Sequence, residues 1–411
     1  MTESVLDKLQ DEVGKCISCG FCESVCPTLP ASGYDLWKGA RGRVIMGHEL
    51  VNAVREGKAG QLDISDSFYS CLDCFACLQV CPAGVNAGVV SHLARSLIVE
   101  RQIKENQNPY ARMIVAATMK YMNPLGVPAS SDNWAEGLKF DQDSPDLLYT
   151  GNMYQLMAYT GGLNRVRQMA GHRLSKMMAG IIAGHPSAIR VSTSQRDRSF
   201  QKQLNNSLRN IVRLLQAAGN HFSYLGPGEP YPGTFIYDLG YLEEFREYAN
   251  RVYRMLKESG ARRIITVDPH TYDLLKHTYP EYVGGFDLDV IFYADLLSGL
   301  DISKIDRKVV YHEPCHFVLR ADSYTVPLTL ISRAAETVMA PRNGRRNNCC
   351  GGPDELIFPD LSEKVSNERY SELVSTGASE IITACPICLA NLSKGKKTRD
   401  MADLLSEACF R

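Results

Sequence analysis

The chain has almost no net charge, no long apolar run and no glycine-rich nucleotide motif. Its 411 residues carry 45 basic and 46 acidic side chains, a balance that gives no indication of nucleic-acid binding. A membrane-spanning helix needs about twenty mostly apolar residues, and the uncharged run of residues 147–164 is interrupted by glycine and polar side chains. No Gly-x-Gly-x-x-Gly follows a predicted strand, so we expect no flavin or nicotinamide on this chain.

A secretion signal is also missing, since no basic region followed by an apolar segment occurs at the N-terminus. We therefore expect a cytoplasmic protein with no transmembrane segment, and peripheral contact with the cytoplasmic membrane is an open alternative. Apolar residues make up 45% and charged residues 22% of the sequence, as in a globular chain long enough for two or three domains.

Cysteine is absent between Cys81 and Cys315, although the chain has fourteen cysteines. Those fourteen fall mostly into groups with the spacing of metal ligands, which favours reduced thiols on metal over disulfides. The sequence therefore predicts metal sites near both ends of the chain and none in the middle.

Two runs with the same cysteine spacing lie near the N-terminus. They read Cys16-x2-Cys19-x2-Cys22-x3-Cys26-Pro27 and Cys71-x2-Cys74-x2-Cys77-x3-Cys81-Pro82. In bacterial ferredoxins three closely spaced thiolates hold one 4Fe-4S cubane, while the fourth holds the other. The predicted ligand sets are Cys16, Cys19, Cys22 and Cys81 for the first cluster, and Cys71, Cys74, Cys77 and Cys26 for the second. Two zinc sites are the alternative, which eight cysteines at a doubled spacing disfavour.

Helical periodicity follows each run, at residues 41–50 and 89–100. This arrangement resembles the helical ferredoxin module of succinate dehydrogenase-type iron–sulfur subunits and of the glycolate oxidase iron–sulfur subunit. We therefore expect an all-helical two-cluster ferredoxin domain over residues 1–104. Arg41 and Arg43 are expected to bind carboxylates or backbone of that domain, or alternatively to dock a partner.

Five further cysteines occupy three separate segments of the C-terminal region. They are Cys315 in Glu-Pro-Cys-His, Cys349 and Cys350 in Asn-Cys-Cys-Gly-Gly, and Cys385 and Cys388 in Cys-Pro-Ile-Cys. Soft thiolates select iron–sulfur clusters, zinc or copper(I), and five of them suit a multi-iron cluster better than one tetrahedral zinc. The ordered pattern resembles the cysteine-rich CCG domain of the heterodisulfide reductase B and D subunits and of the glycolate oxidase iron–sulfur subunit. The resemblance implies that the five hold a third 4Fe-4S cluster, of the non-cubane type.

Two histidines, His312 and His316, flank the lone cysteine of this region. Because imidazole titrates near neutral pH, each is a candidate for tuning the cluster or delivering protons. The alternative is that each bonds a main-chain carbonyl and so holds the ligand loop.

Residues 105–185 contain no metal motif and are predicted to form a helical connector. Within them residues 164–182 form a basic amphipathic helix with a methionine-rich apolar stripe. A core-facing helix is one interpretation, and contact with a partner or a membrane surface is the other.

Strand–helix alternation from residue 189 onwards predicts parallel sheets covered by helices, with the apolar run 189–191 as its first element. An internal repeat lies within it, because residues 259–271 match residues 376–388 in the order Gly, Ile-Ile-Thr and Pro. Asp268 stands at the position of Cys385 and Thr271 at that of Cys388, while Tyr231 and Pro232 replace the paired cysteines. We therefore expect two Rossmann-like CCG domains, at residues 186–302 without a cluster and at residues 303–411 with one. Asp268, His270 and Tyr231 forming a new site is a lesser alternative.

Across nearly its whole length the chain resembles the glycolate oxidase iron–sulfur subunit, whose relatives serve D-lactate and anaerobic glycerol-3-phosphate dehydrogenases. The resemblance implies an electron-transfer subunit that passes electrons from an FAD-containing dehydrogenase through the two cubanes to the CCG cluster. A quinone or another acceptor, soluble or membrane-bound, would then receive the electrons. The alternatives are a disulfide reductase with a catalytic CCG cluster, and a scaffold with structural clusters.

Overall fold

A computed structural model of the chain describes residues 4–103, 106–127, 133–192, 196–320, 324–352 and 355–410. Its N-terminal part is helical. The helices are α1 Val5–Gly14, α2 Thr28–Ala31, α3 Ala40–Arg55, α4 Ser65–Tyr69, α5 Ala87–Glu100 and α6 Pro109–Tyr121. The predicted helices at residues 41–50 and 89–100 are confirmed as parts of α3 and α5. Residues 104 and 105, where the first domain was predicted to end, lie outside the described residues.

The remaining helices surround two sheets. They are α7 Met153–Gly184, α8 Ile189–Ser192, α9 Arg198–Ala217, α10 Thr234–Asp238, α11 Leu242–Glu258, α12 Pro269–Asp273, α13 Tyr279–Tyr282, α14 Val326–Ala334, α15 Pro359–Ser375, α16 Pro386–Leu392 and α17 Met401–Cys409. Among the described helices, none is long and apolar enough to cross a bilayer.

The two sheets are built in the same way. Their strands are β1 Asp146–Tyr149, β2 Ser223–Tyr224, β3 Arg263–Thr266 and β4 Asp289–Phe292 in one, and β5 Ile305–His312, β6 Ala335–Met339, β7 Glu380–Thr383 and β8 Thr398–Asp400 in the other. All neighbours are parallel, and the orders are β2-β1-β3-β4 and β6-β5-β7-β8. The predicted α/β class with parallel sheets is confirmed, and the repeated strand order matches the internal sequence repeat.

The start of the first α/β unit was predicted too late. Strand β1 lies inside the stretch assigned to the helical connector and pairs with both β2 and β3. The run at residues 189–191, expected to open the α/β pattern, belongs instead to the short helix α8. A four-residue strand in an uncharged segment has too little periodicity to be distinguished from the helix that follows it. The predicted division between residues 302 and 303 falls between β4 and β5.

Apolar packing ties the two α/β units together. One continuous core contains residues of both sheets, for example Ile264 and Ile381, which are fully buried. A separate core, with Leu50 and Leu97 at its centre, holds the N-terminal helices together. The segment after β5 contacts the N-terminal part, where the Gln79 side chain donates to the Leu319 carbonyl at 3.0 Å, and this arrangement positions the cysteine sites.

Candidate metal centres

The first ferredoxin-type cavity is lined by one of the two predicted ligand sets. Its cysteines are Cys16, Cys19, Cys22 and Cys81. Ser18 and Gly20 have positive φ angles of 58° and 81°, which let the short loop turn around the cavity. The backbone N–H of Ser18 donates to Cys16 Sγ at 3.4 Å, and that of Val85 donates to Cys81 Sγ at 3.2 Å. Amide donors stabilise thiolates, so the cavity suits a metal cluster.

A second cavity is lined by the other predicted set. Its cysteines are Cys26, Cys71, Cys74 and Cys77. A side chain at Gly88 would meet the Phe75 ring at 2.7 Å, so glycine lets α5 approach the cysteine loop closely. Burial raises the pKa of Cys71 to about 12 and that of Cys77 well above its ordinary value. Thiols buried this deeply ionise only beside positive charge, which a metal would supply. The cavities group the cysteines as the doubled motif does, and the ligation itself stays a prediction.

One positive charge at the second cavity comes from Arg43, which is buried. Its guanidinium donates to the carbonyl oxygens of Ser67 at 2.8 Å and Ser70 at 3.0 Å. These bonds are the backbone contacts expected from the sequence. Arg43 Nη1 also donates to Cys26 Sγ at 3.7 Å, a contact that the sequence pattern did not indicate. Arg43 therefore fixes the Cys26 loop and places a cation against one predicted ligand.

The five C-terminal cysteines meet at the carboxyl ends of β5 and β7. Cys315 follows β5, Cys385 precedes α16, and Cys388 lies in the first turn of that helix. Cys349 and Cys350 come from the loop before α15. All five are at most 5% exposed, so three distant segments form one buried thiol site.

The five thiols interact mainly with one another. Cys349 contacts Cys315 and Cys350, and Cys350 in turn contacts Cys388, which also contacts Cys385. These contacts and burial hold the pKa of Cys349 well above its ordinary value, whereas donation from Cys349 and Cys388 holds that of Cys350 well below. Buried thiols that have mostly other thiols as partners are a soft donor set, and this set fits an iron–sulfur cluster.

Two glycines make the loop of the paired cysteines possible. Gly351 has a φ of 83°, and a Cβ there would lie 2.6 Å from the carbonyl oxygen of Ser362. At Gly352 a Cβ would lie 2.0 Å from the side chain of Ile387. Glycine at both positions lets the loop pass closely under α15 and α16.

His312 lies at the end of β5 beside these thiols. Its Nδ1 accepts a hydrogen bond from Arg369 Nε at 3.1 Å, and the ring interacts with the thiol of Cys350. The ligand atoms of His312, Cys350 and Cys388 all lie within 4.8 Å of one another. Arg369 rather than a main-chain carbonyl therefore orients the ring, and burial lowers the pKa of His312. A tuning role for His312 stays a prediction.

His316 reaches across to the first α/β unit. Its Nδ1 lies 2.9 Å from Asp273 Oδ2, and its ring centroid lies 3.8 Å from that of His270. Arg320 Nε also lies 3.0 Å from Asp273 Oδ2. Burial lowers the pKa of His316, and the Arg320 charge acts in the same direction. The sequence did not indicate Asp273 or Arg320, because their contact depends on how the two units pack.

The second ferredoxin cavity touches the C-terminal thiol site. The thiol of Cys74 interacts with the thiol of Cys349. Next to this contact the Gln79 side chain donates to the Leu319 carbonyl at 3.0 Å. The two predicted cluster sites are therefore neighbours, although these cysteines lie 275 positions apart in the sequence.

In the first α/β unit other residues stand at the positions that the CCG cysteines occupy in the second unit. Counting from the ends of β1 and β5, Asn152 stands where Cys315 stands. A Cβ at Gly151 would lie 2.9 Å from Pro232 and 3.0 Å from Thr271 Oγ1, so both replacements pack against the backbone. Asp268 caps α12 by accepting from the N–H of Thr271 at 2.9 Å.

The three residues considered for a new site in that unit have separate partners. His270 packs on His316, and the Tyr231 hydroxyl accepts from the N–H of Phe235 at 3.1 Å. Asp268 caps the N-terminus of α12. The geometry gives them the role of packing and capping groups.

Two family models match the chain at these sites. A 4Fe-4S dicluster domain matches residues 12–85, and a cysteine-rich domain, the CCG domain, matches residues 309–393. A protein of Bacillus subtilis named "Probable glycolate oxidase iron-sulfur subunit" is 38% identical over 97% of this chain and 94% of its own length. The chain belongs to this family of iron–sulfur oxidoreductase subunits.

Other members of the wider family are more distant. The D subunit of the dihydromethanophenazine:CoB–CoM heterodisulfide reductase of Methanosarcina barkeri is 24% identical over 97% of this chain and 94% of its own length. The EtfAB:quinone oxidoreductase of Syntrophomonas wolfei is 21% identical over 95% of this chain but only 56% of its own length. The family resemblance stated from the cysteine motifs is confirmed, and the family indicates 4Fe-4S clusters in this chain.

Proposed function

We propose that the protein is the electron-transfer subunit of a multisubunit oxidoreductase, which links a flavoprotein dehydrogenase to a quinone or another acceptor. The dehydrogenase would oxidise a 2-hydroxy acid, glycerol-3-phosphate or a similar small substrate. Bound iron–sulfur clusters would supply one-electron carriers at the three cysteine sites. We assign two cubanes to the ferredoxin sets and one non-cubane 4Fe-4S cluster to the CCG set.

The contact between Cys74 and Cys349 carries this proposal. It brings the second ferredoxin set and the CCG set together through an interaction between two buried thiols, beside the hydrogen bond from Gln79 to the Leu319 carbonyl at 3.0 Å. Catalysis at one isolated site does not require such a junction, whereas a relay requires neighbouring carriers shielded from water. The burial of Cys74, Cys349 and Cys350 supports the same conclusion.

The first ferredoxin set supplies a surface for the electron donor. Cys19 is exposed, and the neighbouring Ile17 and Phe21 are 65% and 61% exposed. Exposed apolar side chains next to a redox site are typical of a docking surface for another protein. We propose that the flavoprotein docks here, and the name of the Bacillus relative supports a hydroxy-acid oxidase as that partner.

The alternative function is disulfide reduction at the CCG site. It is favoured by a small cavity lined by His270 and by His316, which directly follows Cys315 in the chain, and by the relatives that are D subunits of heterodisulfide reductases. In this case His316 would contact the disulfide substrate in addition to its partners inside the protein.

One experiment separates the two functions. The anaerobically purified protein is reduced with dithionite, freed of excess reductant, and mixed with a water-soluble quinone or with an asymmetric aliphatic disulfide. We expect the quinone to reoxidise the iron EPR signals and the disulfide to leave them reduced. Release of two thiols per disulfide would instead establish the alternative function.

The variant Cys350→Ser provides the internal control. We expect it to keep two cubanes, about eight irons per chain instead of about twelve, and to lose the EPR signal unlike a cubane. Iron content equal to that of the wild type would contradict the assignment of Cys350 as a ligand. Because the ferredoxin signals report folding of the N-terminal domain, a misfolded variant is recognised directly.

A further inference from the structure

The second half of α7 presents its long apolar side chains to solvent. Leu174, Met177, Met178 and Ile181 are 46%, 57%, 40% and 55% exposed. They follow the spacing i, i+3, i+4, i+7, so they form one stripe along the helix. We call these four residues the α7 stripe. The core-facing interpretation of this helix, considered from the sequence, is therefore wrong for these positions.

Small side chains make the opposite face of the helix the buried one. Ser175 and Ala179 are buried, and the Ser175 hydroxyl lies 2.7 Å from the hydroxyl of Tyr110 on α6. Gly171, with φ 75° and ψ 163°, interrupts α7 just before this segment. The small residues thus pack this part of the helix against the protein, and the α7 stripe faces solvent. The interruption at Gly171 separates this part from the first half of α7.

The charge around the stripe is of one sign. Residues 147–196 contain six lysines and arginines and no aspartate or glutamate, whereas the remaining 361 residues contain 39 basic and 46 acidic side chains. Arg173 is exposed at the edge of the stripe, and no carboxylate of the described residues forms an ion pair with it. An acid-free basic segment favours an anionic surface as the occupant over a typical protein surface of mixed charge.

The side-chain types of the stripe agree with a lipid occupant. The stripe is one helix wide, and its four members are flexible aliphatic or thioether chains without an aromatic anchor. Protein–protein contacts are usually dominated by Trp, Tyr and Arg that fill pockets. An amphipathic helix at a bilayer needs only an apolar stripe flanked by basic side chains.

We propose that the α7 stripe docks the protein on a phospholipid surface with anionic headgroups. Leu174, Met177, Met178 and Ile181 enter the acyl boundary, while Arg173 at the edge of the stripe contacts the lipid phosphates. The four residues of the α7 stripe belong to none of the cysteine sites, so this inference does not depend on the proposed direction of electron flow.

Vesicle flotation of the cluster-loaded full-length protein tests the proposal. Vesicles of phosphatidylcholine alone are compared with vesicles that also contain phosphatidylglycerol, at low and high salt. We expect binding to the anionic vesicles only, and weaker binding at high salt because salt screens the basic side chains. Absence of binding to either vesicle, or equal binding to both, would overturn the proposal.

Three variants locate the contact on the protein. Met177→Gln combined with Ile181→Gln should weaken vesicle binding about tenfold or more, since two apolar side chains no longer enter the lipid. Arg173→Gln should weaken it about fivefold on anionic vesicles. Ile45→Gln, an exposed apolar residue on α3, is the matched control and should bind as the wild type does.

Two other results would count against a lipid occupant. Unchanged flotation of the Met177/Ile181 variant would show that another surface binds the vesicles. Concentration-dependent self-association that this variant abolishes, without vesicle binding by the wild type, would identify the stripe as an interface between copies of the chain. All changed positions are solvent-exposed or half-exposed, and iron content confirms that each variant has folded.

Discussion

Arg43 shows how one buried side chain serves both the fold and the predicted redox site. Its hydrogen bonds to the carbonyls of Ser67 and Ser70 connect α3 to α4 and to the residue directly before Cys71. Its contact with Cys26 Sγ places a positive charge against a predicted ligand. Positive charge and hydrogen bonds at sulfur raise the reduction potential of an iron–sulfur cluster, because the reduced form carries more negative charge.

Replacing Arg43 with methionine should therefore lower the potential of the cluster predicted at Cys26, Cys71, Cys74 and Cys77. We expect a decrease of about 60 mV, which corresponds to about 1.4 kcal/mol for a one-electron couple. An EPR-monitored redox titration measures it. Arg43→Lys keeps the charge and should recover most of the potential, whereas Arg55→Met at the exposed end of the same helix should leave it unchanged. An unaltered potential in Arg43→Met would show that the Arg43 charge does not influence the reduction potential of the cluster.

At the scale of single residues the sequence predicts well which cysteines line the same site. It predicts poorly which side chains contact one another across the fold. The doubled cysteine spacing predicts which thiols share each cavity, because the loops that carry them are short and locally determined. The hydrogen-bond partners of His312 and His316 are Arg369 and Asp273, which lie in other elements. No local pattern in the sequence encodes those contacts.

In both α/β units the site positions lie in loops between a strand and a helix. In the first unit a buried carboxyl group binds the loop after β1. Glu229 accepts hydrogen bonds from the N–H and the hydroxyl of Thr150, and its main-chain carbonyl accepts from the side chain of Asn152 at 2.7 Å. Burial raises the pKa of Glu229 to about 8, although these hydrogen bonds oppose the shift. The group is therefore protonated in the folded protein at neutral pH.

This shift makes the stability of the first unit depend on pH. Between the ordinary glutamate pKa and about 8 the unfolded chain binds fewer protons than the folded one, so stability falls as pH rises, by of order 1 kcal/mol per pH unit. Glu229→Gln keeps the shape and cannot ionise. We expect its thermal unfolding midpoint to fall less than that of the wild type from about pH 5 to about pH 8.

The exposed Glu258 at the end of α11 offers the matched control. Glu258→Gln should follow the wild-type pH profile. If Glu229→Gln also followed it, the carboxyl group would be ionised in the folded state, and its burial would have to be compensated in another way.

Element boundaries also show where sequence reasoning stops. Strands β3, β5 and β7 are recognisable from their Val and Ile content and from the glycines and prolines around them. Strand β1 has only four residues, and its partners β2 and β3 lie far along the chain. Its existence is decided by sheet pairing, which the local pattern does not contain.

An ion cluster lies where the three parts of the molecule meet. Asp273 belongs to the first α/β unit, Arg320 to the second, and the Arg320 guanidinium lies 4.4 Å over the ring of Phe75 in the ferredoxin part. Burial opposes ionisation of Asp273, but Arg320 and hydrogen bonds from His277 and His316 hold its pKa well below the ordinary value. Asp273 is therefore charged, and Arg320 neutralises it where the three parts meet.

Replacing Arg320 with methionine should leave a buried carboxylate without its main partner and loosen the ferredoxin part. Breaking such a pair costs about 3–5 kcal/mol. We expect faster limited proteolysis between the ferredoxin part and the rest of the chain, and slower electron exchange between the ferredoxin and CCG signals. Arg333→Met, at an arginine of α14 that binds only main-chain oxygens among the described residues, should preserve both properties. Wild-type proteolysis of Arg320→Met would show that apolar packing alone holds the parts together.

The contact between Cys74 and Cys349 also constrains how the protein matures. Each thiol helps to cover the other site, and the cysteines of the CCG site are almost completely buried. For clusters at these predicted sites, we expect iron and sulfide to be delivered while the ferredoxin part is still undocked. Assembly would then have an order in time, in which cluster loading precedes docking of the ferredoxin part.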